Sequence, residues 1–355
     1  MKVRLAVEQL RRGVPGGIGT YATGLLDGIR RLPAGDRPDV ELVASRSPVR
    51  PDPLAGHGFP VAAVPVPGPL LTRLWDLGLL GVGGADVVHS VSLAAPPVRR
   101  PARAVVTVHD LAWRTVPDAF PPRGRRWHEA ALGRALRRAD LLVAPSQQTA
   151  DELRAAGARR VAVVGEGWDH LPAPDDQAAS ALLARLGVAD GFLLSVSTLE
   201  PRKNLGRLLA AYRRARPRLP EPWPLVVVGP RGWGEDVVPV DGAVLAGAVS
   251  GGVLAALYRR ARCLAFVPLT EGFGLPALEA MSAGLPVVAS PMPSTGGAAL
   301  EVDPVDVEAI AHALVVASGS GGERDRLGEA GLRHAAPLTW EASARRHVEA
   351  WRSLA

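Results

Sequence analysis

Two short stretches of this 355-residue chain combine ionisable side chains with glycine or proline in a way that suits a ligand with phosphate and hydroxyl groups. LEPRKN (199–204) contains Arg202 and Lys203, and Lys203 is one of only two lysines among 41 basic residues. TEGFGLPALE (270–279) contains Glu271 and Glu279, with seven residues between them. A guanidinium fork and a compact ammonium group both bind phosphate oxygens, and a carboxylate can accept hydrogen bonds from two hydroxyls. The two stretches therefore indicate a site for a diphosphate and a sugar.

The residues around Arg202 and Lys203 are predicted to form a strand, a loop and a helix. GFLLSVS (191–197) is typical of a buried strand, Pro201 ends it, and the helix begins near Asn204. Both cations then lie at a strand's carboxyl end and beside a helix N-terminus, where the helix dipole disfavours positive charge. The negative charge of a bound diphosphate would offset this unfavourable placement of the two cations. The alternative is that both side chains are solvated surface cations.

The second stretch follows the predicted strand CLAFVP (263–268). Pro276 is expected at the first position of the next helix, where the missing N–H of proline costs nothing. The backbone amides of 273–275 would then face the ligand. Glu279 is expected in the first turn, where an acid also complements the helix dipole. That structural alternative explains Glu279 but does not explain Glu271 beside two glycines.

Two further stretches follow predicted strands in the first half of the chain. GVPGGIGTYATGLL (13–26) includes Gly16 and Gly17, and its glycines let the backbone approach a ligand just before a helix start that offers N–H groups to an anion. The spacing is not the G-x-G-x-x-G of dinucleotide sites, and a flexible turn is the alternative. His109 ends the strand ARAVVTV (102–108), where a catalytic and a structural role both remain open.

Short apolar runs alternate with helical patterns along the chain, which predicts parallel sheets covered by helices on both faces. The predicted strands are 3–7, 40–44, 85–90, 102–108, 139–146 and 160–164, then 191–197, 224–229, 243–247, 263–268 and 285–290. The predicted helices are 17–32, 122–139, 147–157, 203–216, 251–261, 276–283, 304–317 and 339–354. We therefore expect an α/β chain of two Rossmann-like, doubly wound domains that face a central cleft.

The division between the two domains is expected in a segment without periodicity. GWDHLPAPDDQ (167–177) is rich in proline and aspartate, as linkers often are. The expected domains are 1–170 and 171–337.

The amino-acid composition limits which binding partners and which cellular compartment are expected. The net charge of +6 favours acidic partners, but no nucleic-acid motif occurs and aromatic residues are only 5%, so we expect no nucleic-acid partner. The single cysteine, Cys263, cannot form an internal disulfide and favours a reducing cytosol. Glu8 interrupts the apolar start before a signal-peptide core, and no uncharged apolar run has transmembrane length. We expect a cytoplasmic protein, with peripheral contact to the inner face of the membrane as an option.

EGFGLPALE, EPRKN and GGIGTY resemble the motifs of retaining glycosyltransferases of family 4, glycosyltransferase group 1, which have the GT-B fold. TVHDLAW, RALRRADLLVAPSQQTADEL and the final LTWEASARRHVEAW match that family in order, so the resemblance spans nearly the whole chain. The chain is most similar to bacterial mannosyl- and rhamnosyltransferase-like members. The resemblance implies transfer of a hexosyl group, with mannose favoured, from a nucleotide diphosphate sugar such as GDP-mannose to an acceptor hydroxyl, without cofactor or metal. It also implies that domain 1–170 is the acceptor side and domain 171–337 holds the nucleotide-sugar donor. A C-terminal helix, 338–355, is then expected to cross back to the first domain.

The resemblance assigns roles to individual residues. The catalytic residues that it implies are His109, Arg202, Lys203 and Glu271, and it implies no metal ligand. Arg202 and Lys203 would bind the donor diphosphate, Glu271 the donor sugar, and Glu279 the ribose hydroxyls. His109 would approach the sugar and the reacting centre. The other implied donor contacts are Gly16, Gly17, Val249, Phe273, Gly274 and Leu275.

Two other functions and the identity of the acceptor stay open at this point. A non-catalytic partner that binds nucleotide sugar for another transferase, and a sugar-nucleotide epimerase on the same fold, are the alternatives. The acceptor is a glycan, a lipid-linked molecule or a small molecule. The basic segment PPRGRRWHEAALGRALRRAD (121–140) favours an anionic acceptor or a membrane surface, and a solvated arginine-rich face is its alternative.

Overall fold

The computed structural model describes residues 1–13, 16–47, 49, 51–189, 191–233 and 240–354. Positions 14 and 15 of the N-terminal glycine stretch and the last residue of the C-terminal segment lie outside the described residues. The chain forms two compact α/β units. Unit 1 contains Met1–Arg114, Pro121–His170 and Thr339–Ala355, and unit 2 contains Thr115–Phe120 and Leu171–Leu338.

Unit 1 is built on a seven-stranded parallel sheet with the strand order β3-β2-β1-β4-β5-β6-β7. Its strands are β1 Lys2–Ala6, β2 Asp39–Ser45, β3 Val61–Val64, β4 Val87–Ser90, β5 Arg103–Thr107, β6 Leu141–Ala144 and β7 Val161–Val163. The helices along this part of the chain are α1 Gly16–Arg31, α2 Gly68–Asp76, α3 Ala112–Thr115, α4 Pro122–Arg138 and α5 Gln147–Ala155.

Unit 2 is built on a six-stranded parallel sheet with the strand order β10-β9-β8-β11-β12-β13. Its strands are β8 Leu193–Val196, β9 Leu225–Val228, β10 Ala243–Gly247, β11 Cys263–Phe266, β12 Val287–Ala289 and β13 Leu300–Glu301. Its helices are α6 Asp176–Arg185, α7 Leu205–Ala215, α8 Gly251–Arg260, α9 Leu275–Ser282, α10 Val307–Ser318 and α11 Gly322–Ala335, and α12 Trp340–Arg352 follows in unit 1.

All the predicted strands and helices form, and the structure adds the strands β3 and β13 and the helices α2, α3, α6 and α11, which the sequence analysis did not predict. β3 is only partly buried and lies at a sheet edge, and β13 has two residues, so neither shows a long apolar run. α6 begins inside the segment predicted as a linker, because the side chain of Asp175 accepts a hydrogen bond from the amide of Ala178 at 2.9 Å and caps the helix. The aspartates of the predicted linker, 167–177, therefore belong in part to the start of a helix.

One short segment departs from the predicted domain division. Thr115–Phe120 lies within the predicted first domain, 1–170, but groups with unit 2. There, Trp233 Nε1 donates to the carbonyl of Ala119 at 3.1 Å, and the Phe120 and Trp233 rings lie 6.4 Å apart. The contacts of a single exposed loop are not visible in a sequence pattern.

The last helix, α12, packs along α1 within unit 1. Its Trp340 and Trp351 are fully buried. The Trp340 indole lies so close to Gly24 that a Cβ atom there would overlap the ring, and a Cβ at Gly28 would overlap the Trp340 carbonyl. The two glycines, four residues apart, leave a flat surface on one face of α1, and Trp340 packs against it. Among the described residues, no helix combines the length and the apolar character needed to cross a bilayer.

We predict that Gly24→Ala lowers the free energy of unfolding by about 1–3 kcal/mol, because the added methyl group overlaps the Trp340 ring. Urea denaturation followed by tryptophan fluorescence measures the change. Gly17→Ala on the same helix is the matched control, since a Cβ there meets nothing within 4 Å and alanine is the better helix former. Equal stability of the two variants would show that the contact between Trp340 and position 24 accommodates the methyl group.

Candidate active site

The loops that follow β8 and β11 lie side by side at the carboxyl edge of the unit 2 sheet. The two strands pair in parallel, so their carboxyl ends meet at this edge. The amide of Leu269 donates to the carbonyl of Arg202 at 2.9 Å, and Arg202 Nη1 donates to the carbonyl of Thr270 at 3.0 Å. These bonds bring the EPRKN and TEGFG stretches together.

Asn204 holds the first of these loops in place. Pro201–Lys203 form one turn of 3₁₀ helix, and Asn204 adopts a left-handed conformation with φ 60° before α7 begins, a conformation that asparagine tolerates better than most residues. Its Nδ2 donates to the carbonyls of Val267 at 2.9 Å and Pro304 at 2.7 Å. The buried amide therefore ties the start of α7 to two neighbouring loops.

Four charged side chains form one cluster at this edge: Glu200, Arg202, Lys203 and Glu271. Lys203 Nζ contacts Glu271 Oε1 directly, and Arg202 Nη1 lies 3.1 Å from Glu271 Oε2. Arg202 Nη2 lies 3.1 Å from Glu200 Oε1. All four side chains are between 5% and 14% exposed, so water does little to screen these interactions. Lys203 Nζ also lies 5.4 Å from the centre of the Phe266 ring, a cation–π contact.

The two carboxylates of the cluster respond differently to their surroundings. Burial alone would raise the pKa of Glu271, but the charges and hydrogen bonds of Arg202 and Lys203 lower it overall. Burial raises the pKa of Glu200, and the repulsion of Glu271 adds to this, while the two cations oppose it. Glu271 is therefore the ionised partner that holds both cations in place near neutral pH.

The structure corrects one step in the argument from sequence. The position of Arg202 and Lys203 beside a helix start suggested that a bound diphosphate is needed to offset the dipole. Glu271 already supplies the compensating charge for both cations within the chain, and Glu200 adds a contact to Arg202. A diphosphate at this place would replace carboxylate contacts of the two cations instead of binding to unpaired cations. The unfavourable position of the cations beside a helix N-terminus therefore does not by itself require a ligand.

The start of α9 differs from its predicted form in two details. Leu275 takes the first helical position and Pro276 the second, and Glu279 lies in the second turn, with no acid in the first. The dipole explanation for Glu279 therefore fails, because that effect is confined to the first turn. Glu279 is buried, and its Oε2 accepts a hydrogen bond from the Tyr258 hydroxyl at 2.7 Å. Burial raises the pKa of Tyr258 and the Glu279 charge adds to this, so the phenol is the donor.

Gly274 is a position where only glycine fits. It precedes α9 with φ 103°, and a Cβ there would overlap Met292 Sδ and lie 2.7 Å from Ser294 Oγ. Ser294 Oγ donates to the Gly274 carbonyl at 2.8 Å, and the Ser294 amide donates to the Phe273 carbonyl at 3.0 Å. The segment 273–275 is therefore held from its carbonyl side, and the first amides of α9 are donors for which helical bonding provides no acceptor.

The other predicted donor contacts also lie at carboxyl ends of strands. Val249 is half-buried in the loop between β10 and α8, just before the helix cap Ser250. In unit 1, α1 begins at Gly16, which has φ 62°. A Cβ on Gly16 or on Gly17 would meet nothing within 4 Å, so the start of α1 has open space beside it.

His109 follows β5 in unit 1 and has an oxygen acceptor at each ring nitrogen. Its Nε2 lies 2.9 Å from the carbonyl of Val91, and its Nδ1 lies 3.4 Å from Oε1 of Glu166. The His109 side chain is 18% exposed and that of Glu166 only 5%. Burial lowers the pKa of His109, but Glu166, the Val91 carbonyl and Asp110 together raise it. Neither nitrogen therefore faces a group from which it could accept a proton, and the geometry favours the imidazolium.

A buried chain of hydrogen bonds lies behind His109. The Tyr21 hydroxyl is 2.7 Å from His347 Nε2 and 2.9 Å from Thr107 Oγ1, and His89 Nε2 is 2.8 Å from Thr107 Oγ1. Burial lowers the pKa of His347 to about 4 and that of His89 well below its usual value, so both are neutral.

One carbonyl group orients every proton in this chain. His347 Nδ1 lies 2.8 Å from the carbonyl of Ser343, which can only accept. His347 Nε2 must then accept from Tyr21, Tyr21 accepts from Thr107, and Thr107 accepts from His89. The Tyr21 ring meets the His109 ring edge-on at 4.8 Å, so this oriented network packs directly against His109.

The sequence identified most of the residues at these strand ends and missed several that hold them. Unit 2 brings Arg202, Lys203 and Glu271 into direct contact. The residues that were missed are Glu166, Tyr21 and His347 beside His109, and Glu200, Asn204 and Tyr258 in unit 2. Glu200, Asn204, Tyr21 and His347 stand within quoted motifs, and Glu166 lies two residues after a predicted strand, so position carried a signal for these five. The pairing of Tyr21 with His347 had no such signal, since it spans 326 positions. The described residues contain no group of three or more His, Cys, Asp or Glu side chains placed to hold a metal ion.

Two family models and several known enzymes match the chain. The model described as "Glycosyl transferase 4-like domain" matches residues 16–167, and "Glycosyl transferases group 1" matches residues 191–318. O-antigen chain mannosyltransferase B of Escherichia coli is 31% identical over 285 residues, which cover 76% of this chain and 74% of that protein. D-inositol 3-phosphate glycosyltransferase of Kribbella flavida is 31% identical over 310 residues, with 76% and 72% covered.

Solved structures share the fold over the full length. HepE of Anabaena, solved with UDP and glucose, has a TM-score of 0.73 at 18% identity, with 99% of this chain and 100% of that chain covered. Sucrose-phosphate synthase of Thermosynechococcus elongatus has a TM-score of 0.73 at 19% identity, with 100% and 99% covered. The GT-B fold expected from sequence is thus confirmed, and the chain belongs to the group 1 glycosyltransferases of family 4.

Proposed function

We propose that the protein is a retaining, metal-independent glycosyltransferase that moves a hexosyl group, with mannose favoured, from a nucleotide diphosphate sugar to an acceptor hydroxyl. The observation that carries the proposal is the pair of buried cations, Arg202 and Lys203, beside the glycine-rich start of α9. The mannosyltransferase relative supports mannose as the sugar, and HepE, solved with UDP-glucose, supports a nucleotide-sugar donor. The transferase relatives favour this reaction over the epimerase and the non-catalytic partner.

The chemistry requires the negative charge of the leaving group to be stabilised. As the bond between the sugar and the diphosphate breaks, charge builds up on the phosphate oxygens. Arg202 can bind two of these oxygens with its guanidinium fork, and Lys203 supplies a point charge. The N-terminus of α9 adds partial positive charge and backbone donors. Together these groups can do the work that a divalent cation does in other enzymes.

His109 is suited to a role other than general base. Both of its ring nitrogens face oxygen acceptors of the chain itself, so it acts as a fixed positive charge near the sugar. The proton of the acceptor hydroxyl then goes to the departing phosphate oxygen on the same face, as the new bond from acceptor oxygen to anomeric carbon forms and the old bond to phosphate breaks. This sequence retains the anomeric configuration.

The remaining contacts are those that the family resemblance implies for residues at the strand ends. We assign Glu271 to the donor sugar and Glu279 to the ribose hydroxyls, with Tyr258 orienting the Glu279 carboxylate. Gly17 approaches the diphosphate, and Val249 the base. The acceptor is a glycan, a lipid-linked molecule or a small molecule.

The direct test combines donor binding with turnover. GDP-mannose, present at 100 times its dissociation constant, should stabilise the protein by about 2.7 kcal/mol in a thermal-shift panel that also contains UDP, dTDP and ADP sugars. Turnover of the stabilising donor should persist in excess EDTA, and NMR of the product should show the donor's anomeric configuration. Loss of activity in EDTA with rescue by Mg²⁺ or Mn²⁺ contradicts metal independence, an inverted product contradicts retention, and a panel without any stabilising donor contradicts the proposal as a whole.

Lys203→Met should lower kcat/KM by about 30- to 1,000-fold, the equivalent of about 2–4 kcal/mol of lost stabilisation of the leaving group. Methionine keeps the stem beside Phe266 and removes only the charge. Lys203→Arg should fall between this variant and the parent, because a wide planar group cannot replace an ammonium packed between Glu271 and the Phe266 ring.

The chain's only other lysine provides the matched control for this pair of variants. Lys2 is 43% exposed on β1 of unit 1, and Lys2→Arg should leave kcat/KM unchanged. Circular dichroism and thermal unfolding establish that the variants are folded. If Lys203→Arg retains more than half of the parental activity, Lys203 makes no specific phosphate contact.

Glu166→Gln should destabilise the protein more at pH 6 than at pH 9. Glu166 helps to raise the pKa of His109 in the folded state. A raised pKa contributes stability that is fully present below the ordinary histidine value and is lost as pH rises through the folded value. His89 and His347 titrate below this window. Urea unfolding of parent and variant at both pH values measures the difference.

The double variant His109→Gln/Glu166→Gln, compared with His109→Gln alone, is the control for this experiment. Without the imidazole, the cost of Glu166→Gln should no longer depend on pH. An equal cost at pH 6 and pH 9 in the parent background would show that Glu166 acts by packing and not through the charge of His109.

A further inference from the structure

Three leucines stand exposed in a short turn of unit 1, directly after α2. Leu77, Leu79 and Leu80 are 66%, 52% and 40% exposed, and Leu70, two turns earlier on α2, is 46% exposed. We call Leu77, Leu79 and Leu80 the leucine patch. The buried side of α2 is already formed by Leu71 and Trp75, so the patch is surplus to the core. Adjacent exposed leucines of this kind usually mark an interaction surface.

The turn presents the patch in a fixed conformation. The amide of Leu79 donates to the carbonyl of Leu74 at 2.8 Å, and that of Gly78 donates to the carbonyl of Trp75 at 2.9 Å, the pair of bonds that closes a helix with a glycine. Leu80 has φ 52°, a conformation that leucine rarely adopts and that tends to persist where function requires it.

The patch lies at the edge of the sheet opposite to His109. α2 ends at Asp76 and the chain then enters β4, so the turn is near the amino ends of the strands. His109 follows the carboxyl end of β5. In a parallel sheet these are opposite edges, so a ligand on the patch does not compete with one at the candidate active site in this unit.

Positive charge is concentrated around the patch. The three segments 65–83, 97–103 and 134–140 contain seven arginines and two aspartates, an excess of five charges in a chain whose net charge is +6. Both aspartates are paired, Asp76 with Arg134 and Asp140 with Arg100 and Arg103. The exposed arginines of these segments are Arg73, Arg99, Arg100, Arg103, Arg137 and Arg138.

Two of these arginines lie directly beside the turn. The Arg138 guanidinium lies 3.4 Å from the place of a Cβ on Gly78, and Arg99 lies 3.2 Å from that on Gly81. Arg138 also lines a cavity of about 330 Å³ with Arg100, Arg134 and Arg137, over apolar residues of β5 and α4. The dipole of α4 explains cations at its last turn, but it does not explain the leucines.

We propose that the leucine patch and the arginines around it form a docking surface for a bilayer that contains anionic lipid. The leucines enter the boundary between headgroups and acyl chains, and the arginines contact lipid phosphates. α4 itself buries its apolar residues Ala131, Leu132 and Ala135, so the basic segment 121–140 supplies charge while the turn after α2 supplies the apolar contact. This surface goes beyond the proposed function, because it concerns where the enzyme works.

Other occupants fit the observations less well. A nucleic acid would use the arginines but would leave the leucines in water. A second copy of the chain would cover the leucines, but a symmetric contact would bring both sets of arginines together. Of these occupants, only an anionic bilayer offers an apolar region for the leucine patch and negative charge for the arginines around it.

Sedimentation of the full chain with vesicles tests the proposal. The parent should bind vesicles of equal parts phosphatidylglycerol and phosphatidylcholine, should not bind phosphatidylcholine alone, and should bind less as salt rises from about 0.05 M to about 0.5 M. The triple variant Leu77→Ser/Leu79→Ser/Leu80→Gly should lower the partition coefficient at least about tenfold. Glycine at position 80 suits the positive φ, so the variant should stay folded.

Matched controls remove equivalent groups elsewhere. Leu332→Ser, at a leucine 47% exposed in unit 2, should leave binding unchanged. Arg99→Gln/Arg138→Gln should weaken binding to anionic vesicles, and Arg213→Gln/Arg259→Gln, which removes the same charge from exposed positions of unit 2, should do so much less.

Three outcomes would overturn the docking surface: failure of the parent to bind anionic vesicles, equal binding to neutral vesicles, or equal losses in the control variants. Light scattering without lipid adds a fourth, since a parental dimer that the leucine variant converts to monomer would make the patch a self-association face. Donor-induced stabilisation is measured in solution without vesicles, so failure of the docking surface and failure of the proposed reaction can be told apart.

Discussion

The packing of one tryptophan against two glycines of α1 sets the geometry of unit 1. Trp340 lies so close to α1 that neither glycine has room for a methyl group. This close approach lets α12 place His347 Nε2 2.7 Å from the Tyr21 hydroxyl, deep in the core. Tyr21 in turn packs its ring edge against His109. The surroundings of a candidate catalytic residue in the first third of the chain therefore depend on the last helix.

In unit 2, carboxylates of the chain itself hold the buried cations Arg202 and Lys203 in place. Buried charges are tolerated only when they are paired and hydrogen-bonded. Glu271 provides the pairing for both Arg202 and Lys203, and the cations keep its pKa low despite burial. The site is thus assembled in advance, and a diphosphate would enter by exchange with a carboxylate. Because the cations are already in position, little reorganisation of Arg202 and Lys203 is needed when substrate binds.

The parallel topology separates two kinds of surface in unit 1. Strand carboxyl ends and helix N-termini meet at one edge, where glycine and histidine can approach a polar ligand. Helix C-termini meet at the other edge, where the exposed leucines and arginines lie. Each surface can therefore change in sequence without altering the other, since the sheet lies between them.

The sequence by itself determined the alternation of strands and helices, the two doubly wound units, and the residues placed at strand ends, because these depend on local apolar patterns and on glycine and proline. It could not determine how the charges of Arg202 and Lys203 are balanced, since their shared partner Glu271 lies in another motif, 68 positions from Lys203. It placed Glu279 in the wrong turn of α9, because helix starts shift by a residue without a clear signal. The family resemblance anticipated the return of the C-terminal helix to unit 1. The partners of His109, and the packing of Trp340 on Gly24 and Gly28, were decided only by tertiary packing, which joins side chains that no local pattern relates.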